Sequence, residues 1–167
     1  SALPMPERTA GRTLPEEIQQ VRPFRSQSQE ATIALLRTAS VVSRRCARVV
    51  EPHGLSLAQY NVLRILRGAG EEGLPTLAIR DRMIDEGSTV TRLLDKLEKA
   101  SLVTRDRSRP DRRQVLCQIT KQGEALLATL DPQIDAADLS SMAMLTPDQR
   151  QSLLALLSVI RADMSDL

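Results

Sequence analysis

The run from Ser88 to Thr120 limits the possible folds more tightly than any other part of the chain. Val90, Leu93, Leu94 and Leu97 recur at helical spacing and predict an amphipathic helix with one apolar face. Ser88, Thr89, Thr91, Arg92 and Lys96 lie largely off that stripe. Short hydroxyl groups followed by cations suit a helix in a DNA major groove, where donors and acceptors read bases and positive charge meets phosphate. After Leu102-Val103 come Arg105, Arg107, Arg109, Arg112 and Arg113, interrupted by Pro110-Asp111. Val115, Cys117 and Ile119 then alternate with Leu116, Gln118 and Thr120. This order predicts strand, turn and strand, with an arginine-rich tip able to reach a backbone or a minor groove. A helix followed by a basic hairpin is the arrangement of a winged helix-turn-helix, and it points to double-stranded DNA as the partner.

The flanking sequence supplies the remaining parts. A long helix is expected from Ser28 to about Val50, with Leu35, Ala39, Val42, Cys46 and Val49 on one stripe, widened by Ile33 and Leu36. It should stop at Glu51-Pro-His-Gly54, because proline disfavours a helical residue before it and glycine permits the turn. Ser56-Leu-Ala-Gln59 has the form of a capping box, with Leu55 and Tyr60 placed as a hydrophobic staple. Leu74 can add a short strand to the wing, Thr76 to Met83 reads as a brief helix, and Ile84-Asp-Glu-Gly87 is the turn into the recognition helix. Downstream, a helix from Lys121 runs through Leu126, Leu127 and Leu130, with a bend expected at Asp131-Pro132. Thr146-Pro-Asp-Gln149 is a second capping-box sequence and opens a last helix lined by Leu153, Leu157, Ile160 and Met164. Residues 1–27 read as a partly irregular N-terminal arm, with a short helix near Pro15-Glu-Glu-Ile18. The expected class is therefore mainly α (α+β): a winged helix-turn-helix over 28–165, its DNA-binding module at about 55–120, flanked by long helices at about 28–50 and 121–165.

Asp111-Arg-Arg113, followed by Val115 and Ile119-Thr120, resembles the wing signature of the MarR regulators of bacterial transcription, Asp-x-Arg and then an alternating strand ending in Leu-Thr. Ile119 stands where that family usually has Leu, and Lys121-Gln-Gly123 matches the start of its next helix. The likeness extends over roughly 28–165. It implies a homodimer whose terminal helices interlock, placing two recognition helices about one DNA turn apart on a palindromic operator. It also implies that Arg113 reaches the minor groove or pairs with Asp111, which would then structure the wing tip. Arg107, Arg109 and Arg112 are the accompanying phosphate or minor-groove candidates, and Arg105 belongs either to the tip or to the strand. Small anionic or phenolic effectors would enter between the dimer helices and the DNA-binding module, near His53, Tyr60 and Arg64. A monomer in which the terminal helices simply cap the core is the alternative to the dimer.

Composition agrees with this reading. The chain of 167 residues is 41% hydrophobic but has no Trp, one Tyr and one Phe, so its core must be aliphatic, as in packed helices. Net charge is only +2, yet residues 55–120 hold twelve Lys/Arg against nine Asp/Glu, and 121–167 hold three against seven. A basic wing and an acidic tail suit DNA at one end and a protein partner at the other, although an ordinary solvated surface gives the same counts. An enzyme is disfavoured: His53 is the only histidine, and no phosphate loop, metal-ligand spacing or nucleophile elbow occurs, so neither cofactor nor metal is expected. No apolar run approaches a membrane span, and two cysteines without a framework suit a reducing cytoplasm. Cys46 has two readings. It is a packed residue on the apolar stripe, or it is a redox sensor whose thiol is acidified by Arg44, Arg45 and Arg48, since peroxide-sensing members of the resembled family use a cysteine in this helix. Arg37, Arg44, Arg45 and Arg48 otherwise read as a solvated face or as dimer ion pairs.

Overall fold

A computed structural model describes residues 11–108, 111 and 114–162. It is mainly helical with one small antiparallel sheet of three strands. The chain divides into two compact units, one of residues 43–138 and one of 1–42 with 139–167. Two long helices, α2 (Gln27–Val50) and α6 (Lys121–Met142), belong partly to each.

The unit of 43–138 carries α3 (Leu57–Ala69), β1 (Leu74–Pro75), α4 (Thr76–Arg80), α5 (Val90–Lys99), β2 (Val103–Asp106) and β3 (Leu116–Ile119). The capping box forms: the Gln59 N–H donates to Ser56 Oγ at 3.1 Å and the Ser56 N–H to Gln59 Oε1 at 2.8 Å. Leu55 and Tyr60, the staple positions, are both buried. Val62, Leu63 and Leu66 of α3 share the core with Ile79, Leu94, Leu97, Val103, Leu127 and Leu130. Each such side chain contributes about 1.5–3 kcal/mol on leaving water, so the aliphatic residues alone sustain the core. The sheet order is β1-β3-β2, with Leu74 opposite Cys117 and Val103 opposite Ile119.

One element departs from expectation. The brief helix ends at Arg80 instead of Met83. Beyond it the Arg82 N–H bonds Ile79 O and the Met83 N–H bonds Arg80 O, a tightening that brings Met83 into the core. At the Asp131-Pro132 step, where a bend is expected, α6 continues as one helix with Pro132 inside it. Here the Asp131 carboxylate is gripped by both terminal nitrogens of Arg67, at 2.8 and 3.1 Å, tying α6 to α3.

The other unit contains α1 (Leu14–Glu17), the start of α2, the end of α6 and α7 (Pro147–Ala162). The second capping box also forms, with the Thr146 N–H on Gln149 Oε1 at 2.9 Å and the Gln149 N–H on Thr146 Oγ1 at 3.2 Å. Arg37 lies 3.6 Å from Glu17, so this arginine is paired within the unit. None of the described residues of this unit is buried. Leu36, Val41, Leu154, Leu156, Val159 and Ile160 are exposed apolar side chains, and Leu153 and Leu157 are half-buried. Met164 lies outside the described residues. No described helix is long and apolar enough to cross a membrane.

Candidate nucleic-acid interface

The helix α5 has the two faces its sequence predicts. Val90, Leu94 and Leu97 are buried and Leu93 is half-buried, while Thr89, Thr91, Arg92, Lys96 and Lys99 are exposed. Ser88 is half-buried, with its N–H on Asp85 O at 3.2 Å. Thr89 is the N-cap residue but makes no side-chain capping bond, so its hydroxyl is not spent on the helix end. The turn before α5 is held from beneath. Asn61, buried on α3, accepts the Ile84 N–H at 2.9 Å.

At its other end α5 closes on Ser101, which adopts a left-handed φ of 62°. The Leu102 N–H reaches back to Leu97 O at 3.0 Å, the long bond of a Schellman closure. Thr120 then fastens the returning strand: its N–H bonds Leu102 O at 3.0 Å and its hydroxyl bonds Ser101 O at 2.8 Å. The same hydroxyl accepts the Gly123 N–H at 3.0 Å and so caps α6. A Cβ on Gly123 would stand 2.5 Å from Leu102 O and 2.7 Å from Ile119 Cγ1, which explains why glycine occupies this first turn. The Ile-Thr…Gly end of the sequence signature is thus the joint between recognition helix, wing and α6.

The wing hairpin pairs Arg105 with Cys117 and Asp106 with Leu116. Asp106 turns the chain by accepting the Ser108 N–H at 2.9 Å and the Ser108 hydroxyl at 2.6 Å. Past the tip, the Gln114 N–H bonds Asp111 O at 2.9 Å, so Asp111 takes part in the turn through its backbone. Arg109, Arg112 and Arg113 lie outside the described residues. Arg105 does not point to the tip. Its side chain is 10% exposed, and its Nη2 lies 2.6 Å from Asp95 and 2.9 Å from Glu98, both on α5. Arg107 is 59% exposed and touches Glu98 at 3.2 Å. Hydrogen bonds from Arg105 and then Arg107 hold the Glu98 carboxyl down at about 2.

The three weak effector candidates separate. Tyr60 is buried with the Arg64 guanidinium 6.0 Å from its ring centre, and burial pushes its phenol pKa up. His53 lies exposed on the short turn Glu51–His53. Of the two readings of Cys46, the acidified thiol meets an opposing charge. Burial and the facing Asp138 carboxylate, 3.8 Å away, push its pKa up and outweigh Arg45. Sequence reading missed Asn61, the Asp95–Glu98–Arg105 cluster and the Arg67–Asp131 pair. The only signal for the cluster was the spacing: Asp95 and Glu98 stand three apart on a helix, and Arg105 and Arg107 two apart on a strand.

The chain matches the family model described as transcriptional regulator SarA/Rot over residues 46–130. It is 32% identical over 139 residues to the HTH-type transcriptional regulator TtmR of Methylorubrum extorquens, covering 83% of this chain and 69% of TtmR. A MarR transcription factor from Planctomyces limnophilus is 33% identical, with a TM-score of 0.63 over 82% of this chain and 99% of that one. The chain belongs to the MarR family. Another solved structure, CouR of Rhodococcus jostii bound to p-coumaroyl-CoA, is 25% identical, with a TM-score of 0.68 over 82% of this chain and 95% of CouR. As a MarR-family winged helix-turn-helix protein, this is a DNA-binding transcription regulator.

Proposed function

We propose that this MarR-family protein is a homodimeric, cytoplasmic repressor that binds a palindromic operator sequence-specifically and is released by a small anionic or phenolic effector. The observation that carries the reading is α5, a helix buried along Val90, Leu94 and Leu97 that presents Thr91, Arg92 and Lys96 outward. In this reading Ser88, Thr89, Thr91, Arg92 and Lys96 enter the major groove, and Arg107, Arg109, Arg112 and Arg113 serve phosphates or the minor groove. The half-buried and exposed leucines of α7 support a second copy as partner. The p-coumaroyl-CoA bound by CouR supports a phenolic or anionic effector, for which the Tyr60–Arg64 pair offers an aromatic ring and a cation. The cysteine-sensor alternative is less well supported, since burial and the Asp138 carboxylate, 3.8 Å from the sulfur, oppose thiolate formation at Cys46.

The test begins with duplexes selected from a random library by the wild-type protein. A two-fold footprint with half-sites about one helical turn apart is expected. Arg92→Ala should lose about 1–3 kcal/mol and relax preference at one position of each half-site. Arg113→Ala should weaken binding most when the flanks are A·T-rich. Selection that returns no preferred sequence would sink the reading.

A further inference from the structure

A recognition helix that carries carboxylates faces a conflict, because acidic side chains near phosphate repel the ligand. On α5 both acidic residues, Asp95 and Glu98, are gathered onto one nitrogen of Arg105. That arrangement is poor as a stabilising ion pair. One Nη2 serves both carboxylates, and Arg105 Nε is buried without a hydrogen-bond partner. An unsatisfied buried donor is costly, so such a cluster is weakly explained by stability alone. What it does accomplish is geometric. One point of the β2 strand, Arg105, is fixed to two residues of α5 about one helical turn apart, and Thr120 separately ties the base of the hairpin to Ser101. Glu98 has a second partner, the guanidinium of Arg107 at 3.2 Å, whose side chain is largely exposed to solvent while it makes this contact.

We propose that Asp95, Glu98 and Arg105 are positioning residues that set the distance between recognition helix and wing, and that Glu98 withholds Arg107 from DNA phosphate until a correctly shaped duplex competes for it. The inference rests on the DNA-binding reading of α5 and the wing. On DNA of arbitrary sequence the Glu98 charge repels phosphate and occupies Arg107, which keeps non-specific binding weak. On the operator, groove contacts by helix and wing are made together, and Arg107 exchanges its carboxylate for a phosphate. Discrimination is raised by an internal competitor.

The experiment titrates wild type, Glu98→Gln and Arg105→Lys against the selected duplex and a scrambled duplex of equal length, over a range of salt. Glu98→Gln keeps an acceptor for Arg105 but removes the charge. Its binding to the scrambled duplex should tighten, and the slope of log K on log salt should steepen by about one, the signature of one further phosphate contact. The ratio of selected to scrambled affinity should fall by about tenfold, comparable to losing one base contact. Arg105→Lys keeps the charge, but its shorter stem does not carry a nitrogen to the place between Asp95 and Glu98 that Nη2 holds. Its ratio should fall with the salt slope unchanged. Thermal unfolding of each variant supplies the structural control. If Glu98→Gln weakens both duplexes in parallel, or leaves slope and ratio as in wild type, the proposal is overturned. A wild-type protein that prefers no duplex fails the DNA-binding reading itself, a result visible before any variant is made.

Discussion

The sulfur of Cys46 faces Asp138 at 3.8 Å on a helix that also carries Arg44, Arg45 and Arg48. Three cations in the sequence suggest an acidified thiol, but side-chain direction decides which charge the sulfur feels. Exposed arginines work through water, whereas a carboxylate in contact, added to burial, disfavours the thiolate directly. The alkylation rate of Cys46 should therefore rise with pH only above the usual thiol range of about 8.5. Asp138→Asn should move that midpoint down, giving faster trapping by iodoacetamide at neutral pH. Identical profiles for the two proteins would show that the carboxylate is not what opposes ionisation. The arginines of the wing teach a similar lesson. Four of them read as a basic tip and Arg105 as tip or strand; Arg105 turns inward to α5 while Arg107 stays largely exposed. Partners ten or seven residues away were needed to tell them apart.

Periodicity carries far at the scale of elements. The faces of α5, both capping boxes, the short strand at Leu74 and the hairpin were legible because each depends on neighbours within a few residues. The shortened α4 was not, since it is followed by a buried Met83 and by a bond from the Ile84 N–H to Asn61 Oδ1, across 23 positions. Asn61 looks like an ordinary polar residue in a helix. In the structure it holds the turn of the helix-turn-helix, and its loss strands a backbone donor. Asn61→Ala should lower stability by roughly 1–3 kcal/mol in urea titrations. It should also weaken DNA binding beyond what the lost stability explains, because α5 would no longer start from a fixed turn. Normal stability in that variant would mean that the Ile84 N–H finds water instead.

For the whole molecule, the sequence indicated which helices carry apolar faces but not what covers them, since a covering second chain leaves no trace in periodicity. The unit holding α7 has no buried residue among those described, while the unit of 43–138 holds a dense aliphatic core. A folded helix with Leu154, Leu156 and Val159 in water is a liability unless another surface meets it. Leu157→Asp places a charge in that surface, so sedimentation should show monomer or unfolded chain, with operator binding lost. A stable dimer with normal DNA affinity would put the interface elsewhere.

The scarcity of aromatic residues has an optical consequence. With no tryptophan and Tyr60 as the sole tyrosine, intrinsic emission excited through that phenol originates from one ring in α3, beneath Arg64. Most proteins average such a signal over many sites. Here the chain carries a built-in, label-free reporter at a single address, and any bound molecule that absorbs in the tyrosine emission band will dim it according to distance. Titrating candidate effectors against that emission reads occupancy near α3 without altering a residue.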